Sequence, residues 1–167
     1  MKIIILFITF ALSVFSQTAS LKVLTINTWC GLDFQGIIKM GEYETSERKE
    51  TRFLMLIEQL RDIKPDIIFL QEVNPAGKYS SRLADSLDFD EIHQVSNAGI
   101  KFGPLGFPVN LKYGNTILAD KKFKLEYFDL WKLGGSFGIF GDPLTIHFDE
   151  SNFAIVGKIL VNDSPFI

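Results

Sequence analysis

The sequence predicts an α/β (α+β) domain, and three observations predict it. A β-rich run at Leu21–Asn27 is followed, after a polar stretch, by a helical stripe at Phe53, Leu56, Ile57, Leu60 and Ile63, and then by the apolar run Asp66–Val73. Strand, helix and strand within about fifty residues make a βαβ-like unit. Beyond it the chain changes character, to short strands separated by segments containing Gly, Pro and Asn.

Each element has its own justification. Leu21–Asn27 holds only Lys22 and Thr25 as polar residues before the terminal Asn27, so it reads as a buried strand. Thr28–Thr45 is polar and contains glycine. Ser46 then offers a helix N-cap with Glu47 in the first turn. The stripe falls at i, i+3, i+4, i+7 and i+10, one face of a helix that Pro65 ends. Ile67–Leu70 is continuously apolar and runs into Gln71 and Glu72, as a strand covered on both faces would, and the βαβ topology places Asn27 and Glu72 near the same edge of one sheet.

A shorter helix is expected around Tyr79, Leu83 and Leu87, then a strand at Phe89–Val95 and a long structured loop over Asn97–Gly114. Strands follow at Asn115–Ala119 and Leu125–Trp131. After a flexible span, Gly134–Gly141, come strands at Leu144–Phe148 and Phe153–Val161. Asn162-Asp163-Ser164 marks a turn, after which Pro165–Ile167 starts another element. There are no repeats or linkers, so residues 21–167 form one domain.

Residues 1–16 are set apart. Lys2 precedes an uncharged apolar run, Ile3–Phe15, and then small polar residues, the layout of a secretory signal peptide cleaved after Ser16. The run is too short for a spanning helix, which needs about 20 apolar residues. A secreted or periplasmic location is the expectation. The single cysteine, Cys30, excludes an intrachain disulfide and a four-thiolate zinc site. Seventeen basic residues against 20 acidic give −3, and loss of the leader makes it −4, so no global basic field draws in nucleic acid. With 47% hydrophobic and 22% charged residues, the chain has enough apolar surface to fold rather than stay disordered.

Asn27 and Glu72 are the informative pair. A carboxylate at the mouth of a buried strand sits where a hard divalent cation can be held by one or two acids while keeping its waters. An acid at a strand end is also commonly a solvated or turn-capping residue, and spacing leaves both readings open. The surrounding words add to it. Leu24-Thr25-Ile26-Asn27-Thr28-Trp29, followed by Lys64-Pro65-Asp66-Ile67-Ile68-Phe69-Leu70-Gln71-Glu72-Val73, resembles the two opening motifs of the endonuclease/exonuclease/phosphatase superfamily. Tyr113-Gly114-Asn115-Thr116-Ile117-Leu118 looks like its third stretch, and Phe153–Ile159 is similar to the strand preceding its histidine motif.

The resemblance implies a four-layer sandwich of two packed mixed β-sheets flanked by helices. It implies that Glu72 ligates a catalytic Mg²⁺ (or Mn²⁺), that Asn27 positions the scissile phosphate or the metal, and that Tyr113 and Asn115 lie at the rim of the site. Arg52 is read as structural. The implied reaction is phosphodiester hydrolysis by metal-activated water, on a phospholipid or a nucleic acid. The cation neutralises a phosphate that otherwise repels its attacker. The Asn-Thr-Trp word looks more like the sphingomyelinase-type branch, and two Gly/Phe-rich loops, Phe102–Phe107 and Phe137–Phe140, suit either transient membrane-surface contact or, more commonly, core positions under long loops. A deoxyribonuclease-like nuclease is the alternative.

The chain departs from the pattern in its second half. No Thr-His, Gly-Asp-x-Asn or terminal Asp-His word is present. Gly141-Asp142-Pro143-Leu144 has Leu144 where Asn is needed, and His93 and His147 read as ordinary histidines. The expectation is therefore a domain incomplete at its C-terminus, with a non-catalytic binding module as the second functional reading.

Overall fold

The structure is a computed structural model, and it describes residues 20–29, 31–33, 42–98, 112–134 and 152–167. The signal peptide over 1–16, both Gly/Phe-rich loops, the Gly141-Asp142 word and the strand Leu144–Phe148 with His147 lie outside the described residues.

Among the described residues the chain forms β1 (Val23–Asn27), β2 (Leu32–Asp33), β3 (Glu42–Tyr43), α1 (Ser46–Ile63), β4 (Ile67–Val73), α2 (Ala76–Leu87), β5 (Phe89–Ala98), β6 (Lys112–Asp120), β7 (Glu126–Gly134), β8 (Asn152–Val161) and β9 (Ser164–Phe166). The first sheet has the order β1-β4-β6-β5. It is mixed, with β1 parallel to β4 and the other pairs antiparallel. The second, β7-β8-β9, is antiparallel, and β2 and β3 form a two-stranded ribbon. The α+β class and the two packed sheets are as the sequence predicts.

Alternation along the central strands explains the layering. Ile68, Leu70 and Leu118 point to one face, where they bury against Phe53, Ile57 and Leu60 of α1 and Leu83 and Ala84 of α2. Ile67, Ile117 and Ala119 point to the other, against Ile159 of β8 and Phe123 of a short turn after β6. Each fully buried Leu or Ile contributes roughly 1.5–3 kcal/mol, so the sheet is held from both sides. Gly157 lets the sheets approach, since a Cβ there would stand 2.9 Å from Leu125 Cδ1 and 3.2 Å from Ile92 Cδ1.

The helices follow their signals, with small shifts. Thr45, not Ser46, caps α1: its hydroxyl accepts the Arg48 N–H at 3.2 Å. Lys64 closes the helix in the left-handed region, with its N–H on the Leu60 carbonyl, just before Pro65. Helix α2 is pinned to β6 by a buried hydroxyl pair, Ser80 Oγ and Thr116 Oγ1, 2.5 Å apart. It is tied to α1 by a bidentate Arg82–Glu50 pair, with the Arg82 guanidinium lying 3.9 Å over the Phe53 ring.

Two expectations are corrected. Strand β1 is not buried; it is the edge of its sheet, with Leu24 and Ile26 turned toward the helices and Val23 and Thr25 exposed. Leu24 and Ile26 alternate with Thr25 and Asn27, the period of two that marks a strand covered on one face, with exposed Val23 the apolar exception. The stretch expected as a loop over Asn97–Gly114 is strand at both of its ends, where β5 runs on to Ala98 and β6 begins at Lys112, paired with one bulge between Val95 and Asn97. The new element expected at Pro165–Ile167 is present and begins one residue earlier, at Ser164. It returns as β9 through a two-residue turn in which Asn162 and Asp163 are both left-handed, at φ 50° and 59°, the twist a tight hairpin favours.

One charged junction makes the fold pH-sensitive. Asp66, at the entry to β4, accepts the Lys22 N–H at 2.9 Å and the Lys122 ammonium at 2.7 Å, joining β1, β4 and the turn after β6. Lys122, then the Lys22 N–H, hold the Asp66 carboxyl below its ordinary range. A lowered carboxylate stabilises the fold above its unfolded pKa, about 3.9, and loses that contribution as pH falls through the folded value. Asp66→Asn is expected to cost about 1 kcal/mol at pH 7. The gap to wild type should close below about pH 4, read from urea midpoints across pH. A gap constant with pH would show that the charge is idle.

Candidate functional site

The site stands at the carboxyl ends of β1 and β4, where a parallel pair opens toward solvent. Asn27 pairs with Gln71 in register, and the Asn27 side-chain amide donates from Nδ2 to Glu72 Oε1 at 2.7 Å. The two residues singled out in the sequence are thus brought into direct contact.

A break in β4 makes that contact. Leu70 and Val73 are both fully buried in the helix-side core although they stand three residues apart, which strict alternation forbids. The β4–β6 register shifts between them, so a bulge inserts one residue and the ladder resumes at Val73 opposite Gly114. Glu72 occupies the bulge at φ 55°, a left-handed conformation that costs a non-glycine residue roughly 1–2 kcal/mol. The kink turns the carboxylate toward Asn27.

The loop after β1 completes the arrangement. Thr28 donates both its N–H and its hydroxyl to the Gln71 carbonyl, each at 2.9 Å. Trp29 is left-handed at φ 58°, and its N–H donates to Asn27 Oδ1 at 2.8 Å. That bond fixes the amide's orientation: the oxygen is occupied by a donor, and the nitrogen faces the carboxylate. Arg52 reaches over from α1 to the Thr28 carbonyl at 2.7 Å and to Glu44 Oε1 at 2.7 Å.

Beside this pair lies a cleft of about 230 Å³, bordered by Asn27, Trp29, Arg52, Met55, Gln59 and Tyr79 among others. It opens on the helix side of β1 and shares Asn27 with the pair, whereas Glu72 is not among its lining residues. Tyr79 packs edge-on against Phe53, with ring centroids 5.2 Å apart, and burial pushes its phenol above the ordinary value.

Among the other sequence candidates, Asn115 stands between Thr116 and Gly114 and so opposite the bulge that holds Glu72. Asn115 sits on the sheet-facing side of β6, where its amide donates to the Phe153 carbonyl at 3.4 Å, and it does not line the cleft. Tyr113 pairs with Asn97 through the backbone, and its side chain is outside the described ones. His93 Nδ1 is 3.0 Å from Glu91 Oε2, which with the Ser81 bond to Glu91 Oε1 forms a small surface cluster at the start of α2. Sequence reasoning missed the Arg52–Thr28 and Trp29–Asn27 bonds. Asn at the end of a strand is a recognised Asx-turn former, so the second was open to inspection.

The donor set accommodates a hard divalent ion as one carboxylate, which is the sparse protein contribution typical of Mg²⁺. Glu72 Oε1 is committed to Asn27, and Glu72 Oε2 has no hydrogen bond among the described residues. No group of three His, Cys, Asp or Glu side chains able to hold a metal is present among the described residues.

No protein-family model and no curated protein matches the chain. Solved structures to which it is similar include an endonuclease/exonuclease/phosphatase family protein from Leptotrichia buccalis, at 18% identity and a TM-score of 0.46, over 87% of this chain and 51% of that one. They also include the human Nocturnin catalytic domain with bound sulfate, at 13% identity and a TM-score of 0.48, over 85% of this chain and 47% of that one. A third is a humanized D. rerio TDP2, at 17% identity and a TM-score of 0.38, over 68% of this chain and 35% of that one. The chain spans about half or less of the length of these structures.

Proposed function

We propose that this chain carries the metal- and phosphate-binding side of a divalent-cation-dependent phosphoesterase, centred on Glu72 and Asn27. The observation that supports this reading best is the conformation of Glu72. A left-handed glutamate in a strand bulge is strained, and such strain persists where the surroundings over-determine it, most often at functional sites. Here the strain directs a carboxylate onto an amide presented by the neighbouring parallel strand at 2.7 Å.

When bound, a Mg²⁺ or Mn²⁺ ion would supply charge neutralisation at a phosphate oxygen and acidify a water. Glu72 would hold it through Oε2. Asn27, locked by the Trp29 N–H, holds the carboxylate in one orientation and keeps its nitrogen turned to an anion. Exposed Trp29 and Met55 flank Asn27 across the cleft and offer an apolar seat to the organic part of a substrate. The overall charge of −3 favours a lipid head group over a nucleic acid polyanion. Secretion, as the leader implies, would place such an activity outside the cytoplasm.

A second reading, a binding module without turnover, is favoured by the surroundings of Glu72, which among the described residues belongs to no group of three His, Cys, Asp or Glu side chains. One experiment tests both. In calorimetric titration with Mn²⁺, wild type should bind and Glu72→Gln should lose at least tenfold in affinity with its melting temperature kept or raised. In parallel, sphingomyelin vesicles and plasmid DNA are offered with Mg²⁺. Binding without hydrolysis of either selects the module, and equal Mn²⁺ affinity in Glu72→Gln removes the proposal.

A further inference from the structure

Arg52 lies outside the buried stripe of α1, yet both arms of its guanidinium are used within the fold. Nη1 donates to Glu44 Oε1 and Nη2 to the Thr28 carbonyl, each at 2.7 Å. Glu44 has a side chain only 7% exposed, and its own N–H donates to the Gly31 carbonyl at 3.0 Å. A carboxylate this buried requires a charged partner, and Arg52 serves as one. The Arg52–Glu44 pair is therefore anchored at the loop by side chain and backbone together.

What Arg52 grips is one end of a peptide plane. The carbonyl of Thr28 and the N–H of Trp29 belong to the same planar, trans unit and point in opposite directions. Arg52 holds the oxygen; Asn27 Oδ1 accepts from the nitrogen at 2.8 Å. Thr28 itself is held on its other side by two bonds to the Gln71 carbonyl, so the plane has little freedom to rotate. Rotation would also have to carry Trp29 out of its left-handed conformation.

We infer that Arg52 is a positioning residue which, by fixing the Thr28–Trp29 peptide plane, dictates the polarity of the Asn27 amide toward Glu72. With the plane held, the Trp29 N–H occupies Asn27 Oδ1 and leaves Nδ2 for the carboxylate. With the plane released, the amide is free to turn its oxygen toward Glu72, where two acceptors repel and the carboxylate loses its orientation. The inference rests on the Glu72–Asn27 reading above for its functional meaning, but its structural content stands apart from it.

The test uses the full chain and three readouts: the Asn27 side-chain amide resonance in ¹⁵N correlation spectra, assigned by its loss in Asn27→Asp; Mn²⁺ affinity by calorimetry; and melting temperature. Arg52→Gln is expected to move the Asn27 amide toward the position of a solvated amide and to weaken Mn²⁺ about tenfold. Arg52→Lys, which keeps a donor for the carbonyl, should restore most of both. Ile57→Ala, in the same helix but remote from the loop, should lower the melting temperature while moving neither. An unshifted Asn27 resonance in Arg52→Gln, or equal shifts in Ile57→Ala, would overturn the inference. Should Arg52→Gln fail to fold, an Arg52→Lys spectrum and affinity identical to those of a folded Glu44→Gln would overturn it as well. Absence of Mn²⁺ binding by wild type would defeat the functional reading, and the resonance would still decide the positioning role.

Discussion

Gly114→Ala is expected to destabilise the domain by at least about 3 kcal/mol. A Cβ at this position would stand 1.9 Å from the Gln94 carbonyl oxygen, 2.8 Å from its carbon and 2.9 Å from Val95 Cα. All three are backbone atoms of the adjacent strand β5, which no rotamer change can clear. Gly114 also lies opposite Val73, where β4 resumes its ladder after the bulge that holds Glu72. Relief of the clash must therefore come from separating β5 and β6 or shifting the bulge, and either loosens the site. Gly134→Ala is the control, since no atom of the described residues lies within 4 Å of a Cβ placed there. Thermal unfolding followed by circular dichroism distinguishes them, with a drop of roughly 6–12 °C for Gly114→Ala and a change near zero for Gly134→Ala. Similar midpoints for both would show that the strands part more easily than the geometry implies.

The second large effect is expected at Leu118. Its side chain is fully buried in the middle of β6, opposite Ile68, within the core formed by both helices. Leu118→Ala removes three heavy atoms from a region with interlocked neighbours on every side, and the cost is about 2–5 kcal/mol, set by how far α1 and α2 can collapse. Leu133→Ala, at a residue 67% exposed on β7, should stay within about 0.5 kcal/mol. Urea titrations should show a lower midpoint for Leu118→Ala with an unchanged slope. A matching loss in Leu133→Ala would mean that something covers the exposed face of β7 in solution.

That exposed face also measures what the sequence conveys. Tyr127, Phe128, Trp131 and Leu133 read as an ordinary apolar strand, and only the three-dimensional arrangement shows that they are exposed. The helices and β4 were legible because their signals are local: a stripe of period 3.6, a cap beside it, and a short apolar run bounded by Pro65. The pairing of Asn27 with Glu72 was legible at one remove, through the topology of a βαβ unit and the resemblance of two words. The bulge was not, because it exists only relative to the register of β6, some forty residues away in sequence. The grip of Arg52 on Thr28 was hidden for the same reason, since a backbone carbonyl as partner leaves no trace in residue types.

Position 72 has one further consequence, for how this chain can change over time. Glycine adopts the same backbone geometry without penalty, so the easiest stabilising replacement there is also the one that deletes the acid. Laboratory selection for heat tolerance alone would drift toward that replacement and return sturdier proteins with nothing left to grip a cation, whereas selection for turnover would have to keep an uncomfortable glutamate in place.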